Sequence, residues 1–307
     1  MNDVQLEPFE KLESPFKKAL SACWRLVVQW FVWLCLFLVI GIPYSISSTN
    51  WGDDNSLLFL REITKLITFV ISVFIVIKVM DGRKPVSLGL KLNKRAIYDF
   101  LAGILITFVV LGGQFLLFLG AGWIQIVKFS WQNESLLAVI GNILLAFLIF
   151  TFTGVSEEIL SRGFHLQTIE KGSNRFWGLL LSSLIFAYLH YYNPGITWLN
   201  LILIFFLGLV MAYACLITNQ LWLSIGLHTG WDFFVVSIFF GVPIGGLKPF
   251  HLFDIAKAGG IGIVFFIFNI ITIVALVFLI NYYLKTRKIK VIFKIEQDPP
   301  TIEENAA

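Results

Sequence analysis

The chain has 307 residues, of which 58% are hydrophobic and only 14% charged, and its mean hydropathy is +0.84. Soluble domains run at roughly 45–50% apolar and about 25% charged, so a core this oily leaves too few polar side chains to face water. A soluble enzyme, a nucleic-acid binder and a disordered chain are excluded, and a polytopic helical membrane protein remains. Cys23, Cys35 and Cys215 lie far apart in or beside apolar runs, which makes neither a disulfide framework nor a thiol metal site.

Residues 1–25 form a polar segment ending in Lys17, Lys18 and Arg25. It is too long and too acidic for the start of a signal peptide, so the run after it is kept as an anchor. Apolar runs then fall at 26–47, 57–80, 99–124, 136–163, 176–190, 197–217, 221–241 and 260–284. A span needs about 20 apolar residues, and runs this long are helices rather than the short alternating strands of a barrel. The sequence therefore predicts an all-α, polytopic transmembrane bundle of about eight spans over 26–284 and a tail over 285–307. Arg61, Glu62 and Lys65, at the start of the second run, are expected near the interface.

Basic residues set the orientation. They gather in the N-terminal segment, in the loop after the second run (Arg83, Lys84, Lys91, Lys94, Arg95, with Lys78 at its edge), after the fourth (Arg162, Lys171, Arg175) and in the tail (Lys285, Arg287, Lys288, Lys290, Lys294). The opposite side has only Arg61, Lys65, Lys128, Lys248 and Lys257. An even number of spans with both termini cytoplasmic fits this split.

Ionisable residues within spans are costly and mark function by default. The fourth run ends in Ser156-Glu157-Glu158-Ile159-Leu160-Ser161-Arg162-Gly163, the fifth carries Phe186-Ala187-Tyr188-Leu189-His190, and the seventh carries His228-Thr229-Gly230-Trp231-Asp232. Clustering on three spans favours one shared site. Glu158 and Arg162 are four apart and share a helix face, so they can pair. Glu157 points elsewhere and is left free for proton chemistry. His228 and Asp232 are also one turn apart; such a pair can bind a metal, or the aspartate can orient the imidazole.

Depth presents a tension. At about 1.5 Å per residue, His190 lies on the order of 20 Å from Trp177, but His228 only about 10 Å from Leu221. The two histidines meet only if the fifth helix begins below the membrane surface, or if the helices tilt or bend.

Glu-Glu-x-x-x-Arg at 157–162, Phe-x-x-x-His at 186–190 and His-x-x-x-Asp at 228–232 resemble the CPBP intramembrane proteases, the CAAX-processing and bacteriocin-processing relatives of the Rce1-type endopeptidase. The region that carries the resemblance is about 136–240. The resemblance implies peptide-bond hydrolysis in or at the edge of the membrane, with the bilayer and a membrane-bound peptide or protein as partners and no nucleic acid. It implies that Glu157 activates water with His190 as its partner, that Glu158 and Arg162 are a supporting ion pair, and that His228 and Asp232 stabilise the oxyanion. Two departures stand out: Asp232 replaces the usual asparagine, and Ser161 replaces an aromatic residue. An ionised aspartate accepts but cannot donate a hydrogen bond, so Asp232 is protonated, orients His228, or binds a metal. Metal-free catalysis without a cofactor is the expectation; a zinc ion on Glu157, His190, His228 and Asp232 is the alternative. Other functions weighed are a non-catalytic membrane scaffold or regulator and a proton-coupled transporter. The first lacks the sign of a missing Glu157 or His190, and the second lacks a repeated half.

Overall fold

The computed structural model describes residues 14–42, 54–243, 250–258 and 262–287. Most of the expected N-terminal segment, the end of the first run beyond residue 42 and the tail beyond Arg287 lie outside the described residues. Among those described, seven helices are long and apolar enough to cross a membrane. They are α1 (Pro15–Leu36, continued as a π-helix over Phe37–Gly41), α2 (Asp54–Asp81), α3 (Lys94–Gly120) and α4 (Leu136–Glu158, then π over Ile159–Leu166, then α again over Gln167–Gly172), followed by α6 (Trp198–Thr218), α7 (Trp222–Asp232, then π over Phe233–Phe239) and α8 (Gly262–Thr286). The expected fifth span is a shorter apolar helix, α5, of 15 residues over Arg175–Leu189. The protein is an integral, multi-pass helical bundle, and large apolar side chains such as Leu105 and Leu144 point outward from its helices, as lipid-facing surfaces do.

Capping chemistry decides the helix starts. Ser14 accepts from the Lys17 amide at 3.4 Å and Pro15 takes the first turn, where its missing N–H costs nothing. The first helix therefore begins eleven residues before its apolar run. Asn93, Ser135 and Asn174 cap α3, α4 and α5 in the same way. The third span ends at Gly120 rather than at 124. Ile124–Phe129 is instead strand β1, antiparallel to β2 (Phe253–Lys257), with a register irregularity between Ile126 and Lys128. Ile-x-Ile alternation distinguishes this strand from the helix before it, but the apolar run hides the boundary.

The depth tension resolves at the fourth helix. It runs to Gly172 rather than stopping near 163, which adds about 14 Å at 1.5 Å per residue. The chain reverses at Ser173–Asn174 and α5 returns along α4, so closely that a Cβ on Gly178 would lie 3.1 Å from the Leu166 carbonyl oxygen. Glu157 and His190 are equally many residues from this corner. An antiparallel hairpin therefore brings them level.

α3 and α7 are in backbone contact. A Cβ added to Gly226 would collide with the Phe100 carbonyl oxygen, one on Gly230 with the Thr107 hydroxyl, and one on Gly103 would lie 2.5 Å from the Leu227 amide nitrogen. Gly226-x-x-x-Gly230 is the small-residue spacing by which membrane helices approach closely, and His228 lies between the two glycines. Gly226→Ala is expected to destabilise the bundle by about 1–3 kcal/mol through overpacking, read as a lowered unfolding midpoint in detergent. Gly113→Ala, whose Cβ would meet nothing within 4 Å, is expected to leave the midpoint unchanged.

Candidate active site

Glu158 is the hub of a fully buried polar cluster. Arg162 Nη1 donates to its Oε1 at 2.7 Å, as the four-residue spacing predicts, and side-chain exposures of 0% and 1% leave no solvent to substitute for the pairing. Ser224 Oγ donates to Oε2 and His228 Nδ1 lies 2.8 Å from Oε1. Arg162 reaches further: its Nη2 donates to the Gly208 carbonyl at 3.0 Å, and its guanidinium lies 4.3 Å above the Phe186 ring. One ion pair on α4 thus fastens α5, α6 and α7. Both motif helices widen to π geometry right after their carboxylates, at Ile159 and Phe233, a distortion that recurs at functional sites.

Both imidazoles are held through Nδ1. His228 Nδ1 faces an acceptor-only carboxylate, and His190 Nδ1 lies 2.8 Å from the Phe186 carbonyl oxygen, so each Nδ1 carries a proton and donates. Phe186 also sets the rings, 4.8 Å from His190 and edge-on 5.7 Å from His228. Each ring then presents Nε2 to the same atom. Glu157 Oε2 is 3.8 Å from His190 Nε2 and 3.6 Å from His228 Nε2. It is buried and has no hydrogen-bond partner among the described residues. These separations are too long for direct hydrogen bonds and suit groups that share a water. Asp232 Oδ2 lies 3.5 Å from His228 Nε2.

The structure thus gathers Glu157, Glu158, Arg162, His190, His228 and Asp232 in one place, and it corrects two expectations. The carboxylate that orients His228 at Nδ1 is Glu158, while Asp232 stands on the Nε2 side. Glu157 is not left unpaired by the Glu158–Arg162 bridge, because Lys65 Nζ donates to its Oε1 at 2.8 Å. Lys65 also pairs with Glu62, which is buried and accepts from Thr153 Oγ1 at 3.0 Å. Glu62 is buried and Lys65 half-buried. The sequence signal was present: Glu62 and Lys65 are three apart on one helix face, inside a run that is otherwise apolar.

Among the described residues no three His, Cys, Asp or Glu side chains are grouped to hold a metal, and the Lys65 ammonium already provides the cation beside Glu157.

Residues 139–234 match the family model described as Rce1-like, type II CAAX prenyl endopeptidase Rce1-like. The stretch contains Glu157, Glu158, Arg162, His190, His228 and Asp232 and excludes Lys65. No curated protein matches the chain. The matched stretch is about a third of the chain, and the match agrees with the resemblance to CPBP proteases.

Arg162→Met is expected to lower stability by about 3–5 kcal/mol, the cost of leaving one member of a buried pair without its partner, measured as the unfolding midpoint in detergent. Arg162→Lys is expected to recover little, because an ammonium cannot span the Glu158 carboxylate, the Gly208 carbonyl and the Phe186 face together.

Proposed function

We propose, from the Rce1-like endopeptidase character of residues 139–234, that the protein hydrolyses a peptide bond of a membrane-anchored peptide or lipidated C-terminus by a metal-free glutamate and histidine mechanism. The observation that carries this reading is the convergence of two Nε2 atoms on the buried Glu157 Oε2, at 3.8 and 3.6 Å. A water held by Oε2 and His190 Nε2 gives its proton to Glu157 as its oxygen attacks the scissile carbonyl carbon. His228, an imidazolium whose Nδ1–H is held by Glu158, donates its Nε2–H to the oxyanion that forms, and Asp232 in its protonated form donates beside it. Collapse breaks the C–N bond, and the proton on Glu157 passes to the leaving nitrogen.

The same reading puts both termini on the cytoplasmic side, as the basic loops suggest. Reporter fusions at each end are expected to report an internal location; an external one contradicts the topology.

Cleavage of anchored peptides in liposomes tests the mechanism. Folded Glu157→Gln is expected to lose nearly all turnover, and activity equal to wild type contradicts the assignment of Glu157 as base. Asp232→Asn is expected to keep activity, since an amide donates where the oxyanion needs a donor. Losing a donor typically costs about 10²–10³ in rate. Near-complete loss in a folded Asp232→Asn protein, together with inhibition of wild type by chelators, supports a metal mechanism instead.

A further inference from the structure

The Lys65 ammonium has no part in the steps above, yet it is bound to the residue that begins them. It comes from α2, outside the stretch that matches the family. The contacts of α2 with α4 advance together along both helices, from Phe59–Phe152 at 6.1 Å between ring centroids, to Glu62–Thr153 at 3.0 Å, to Lys65–Glu157 at 2.8 Å. The two helices therefore run parallel in a fixed register, and the cation is brought to Glu157 by packing rather than by a flexible reach. Glu62 anchors it from the same helix, and is itself held by Thr153 Oγ1 at Oε2 and by Arg61 Nε at 3.1 Å from Oε1.

A carboxylate on a glutamate stem has two equivalent oxygens and can rotate. The Lys65 contact removes that freedom: it occupies Oε1, and Oε2 is the oxygen that remains opposite His190 and His228. A cation between two carboxylates is also an expensive way to fill space, because well-packed apolar side chains often do so at no loss of stability. We infer that Lys65 is a positioning residue for hydrolysis, holding Glu157 by Oε1 so that Oε2 faces the two imidazoles, with Glu62 as the brace that fixes the ammonium. This rests on the proposed role of Glu157 and extends the working site from three helices to four.

The test compares wild type, Glu157→Gln, Lys65→Met, Lys65→Arg and Lys65→Ala on a membrane-anchored peptide in detergent micelles. Lys65→Met is expected to fold and to lose about 100-fold in kcat, as small misplacements of a reacting group do, with KM unchanged. Lys65→Arg recovers part of the loss. Methylammonium added to Lys65→Ala restores turnover, and added to Glu157→Gln it does not. Thermal unfolding of the Lys65→Met and Glu157→Gln single and double variants is expected to give non-additive midpoint shifts, which reports the pairing without any turnover. If Lys65→Met fails to fold, Glu62→Gln takes its place, with lowered kcat and unchanged KM expected. Wild-type kcat in folded Lys65→Met, or in folded Glu62→Gln, overturns the positioning role, as does strict additivity in unfolding. With wild type active and Glu157→Gln inactive, such a result leaves the proposed function standing. Wild type that cleaves no anchored peptide overturns both.

Discussion

A charge buried among membrane helices must be paired, and the structure is organised around one such pairing. Glu158 has no access to solvent and meets Arg162, Ser224 and His228. Arg162 in turn engages the Gly208 carbonyl and the Phe186 ring. Lipid offers no hydrophobic drive to press helices together, so polar contacts and close backbone packing supply the specificity. Moving any one of α4, α5, α6 or α7 away would leave a donor or acceptor of this cluster without its partner inside the bundle, where such a loss is most costly.

The site follows from this framework. Glu158 takes His228 by Nδ1 and the Phe186 carbonyl takes His190 by Nδ1, so both rings turn their second nitrogen to Glu157. The close approach of α3 at Gly226 and Gly230 fixes the height of His228 from behind, and the α4–α5 hairpin fixes the height of His190. Two adjacent glutamates thereby acquire different duties: Glu158 is consumed by structure, while Glu157 keeps one oxygen directed at the imidazoles.

Much of this was legible in the sequence because helical periodicity is short-ranged. Glu158–Arg162 and His228–Asp232 are one-turn spacings, and each pair meets as expected. The hidden parts depend on relations between helices. The extension of α4 to Gly172 lies in a polar stretch that a hydropathy reading assigns to a loop, although the Asn174 cap marks where the next helix begins. Lys65 and Glu62 lie more than ninety positions from Glu157 and Thr153, and no local pattern reports the register that joins them. Only Ile124 of strand β1 falls within the third apolar run; Gln125–Phe129 lie in the stretch between runs, where six residues are too few for a period-2 pattern to stand out.

The central claim is that Glu157 activates a water rather than attacking the peptide itself. The most direct measurement is a single turnover in heavy-oxygen water, with mass analysis of both the cleaved peptide and residues 157–158 of the protein. Direct attack by water puts one heavy oxygen in the new carboxyl terminus of the product and none in the protein. A heavy oxygen on Glu157, with product formed from light oxygen, would mean a covalent anhydride at that carboxylate and would contradict the account.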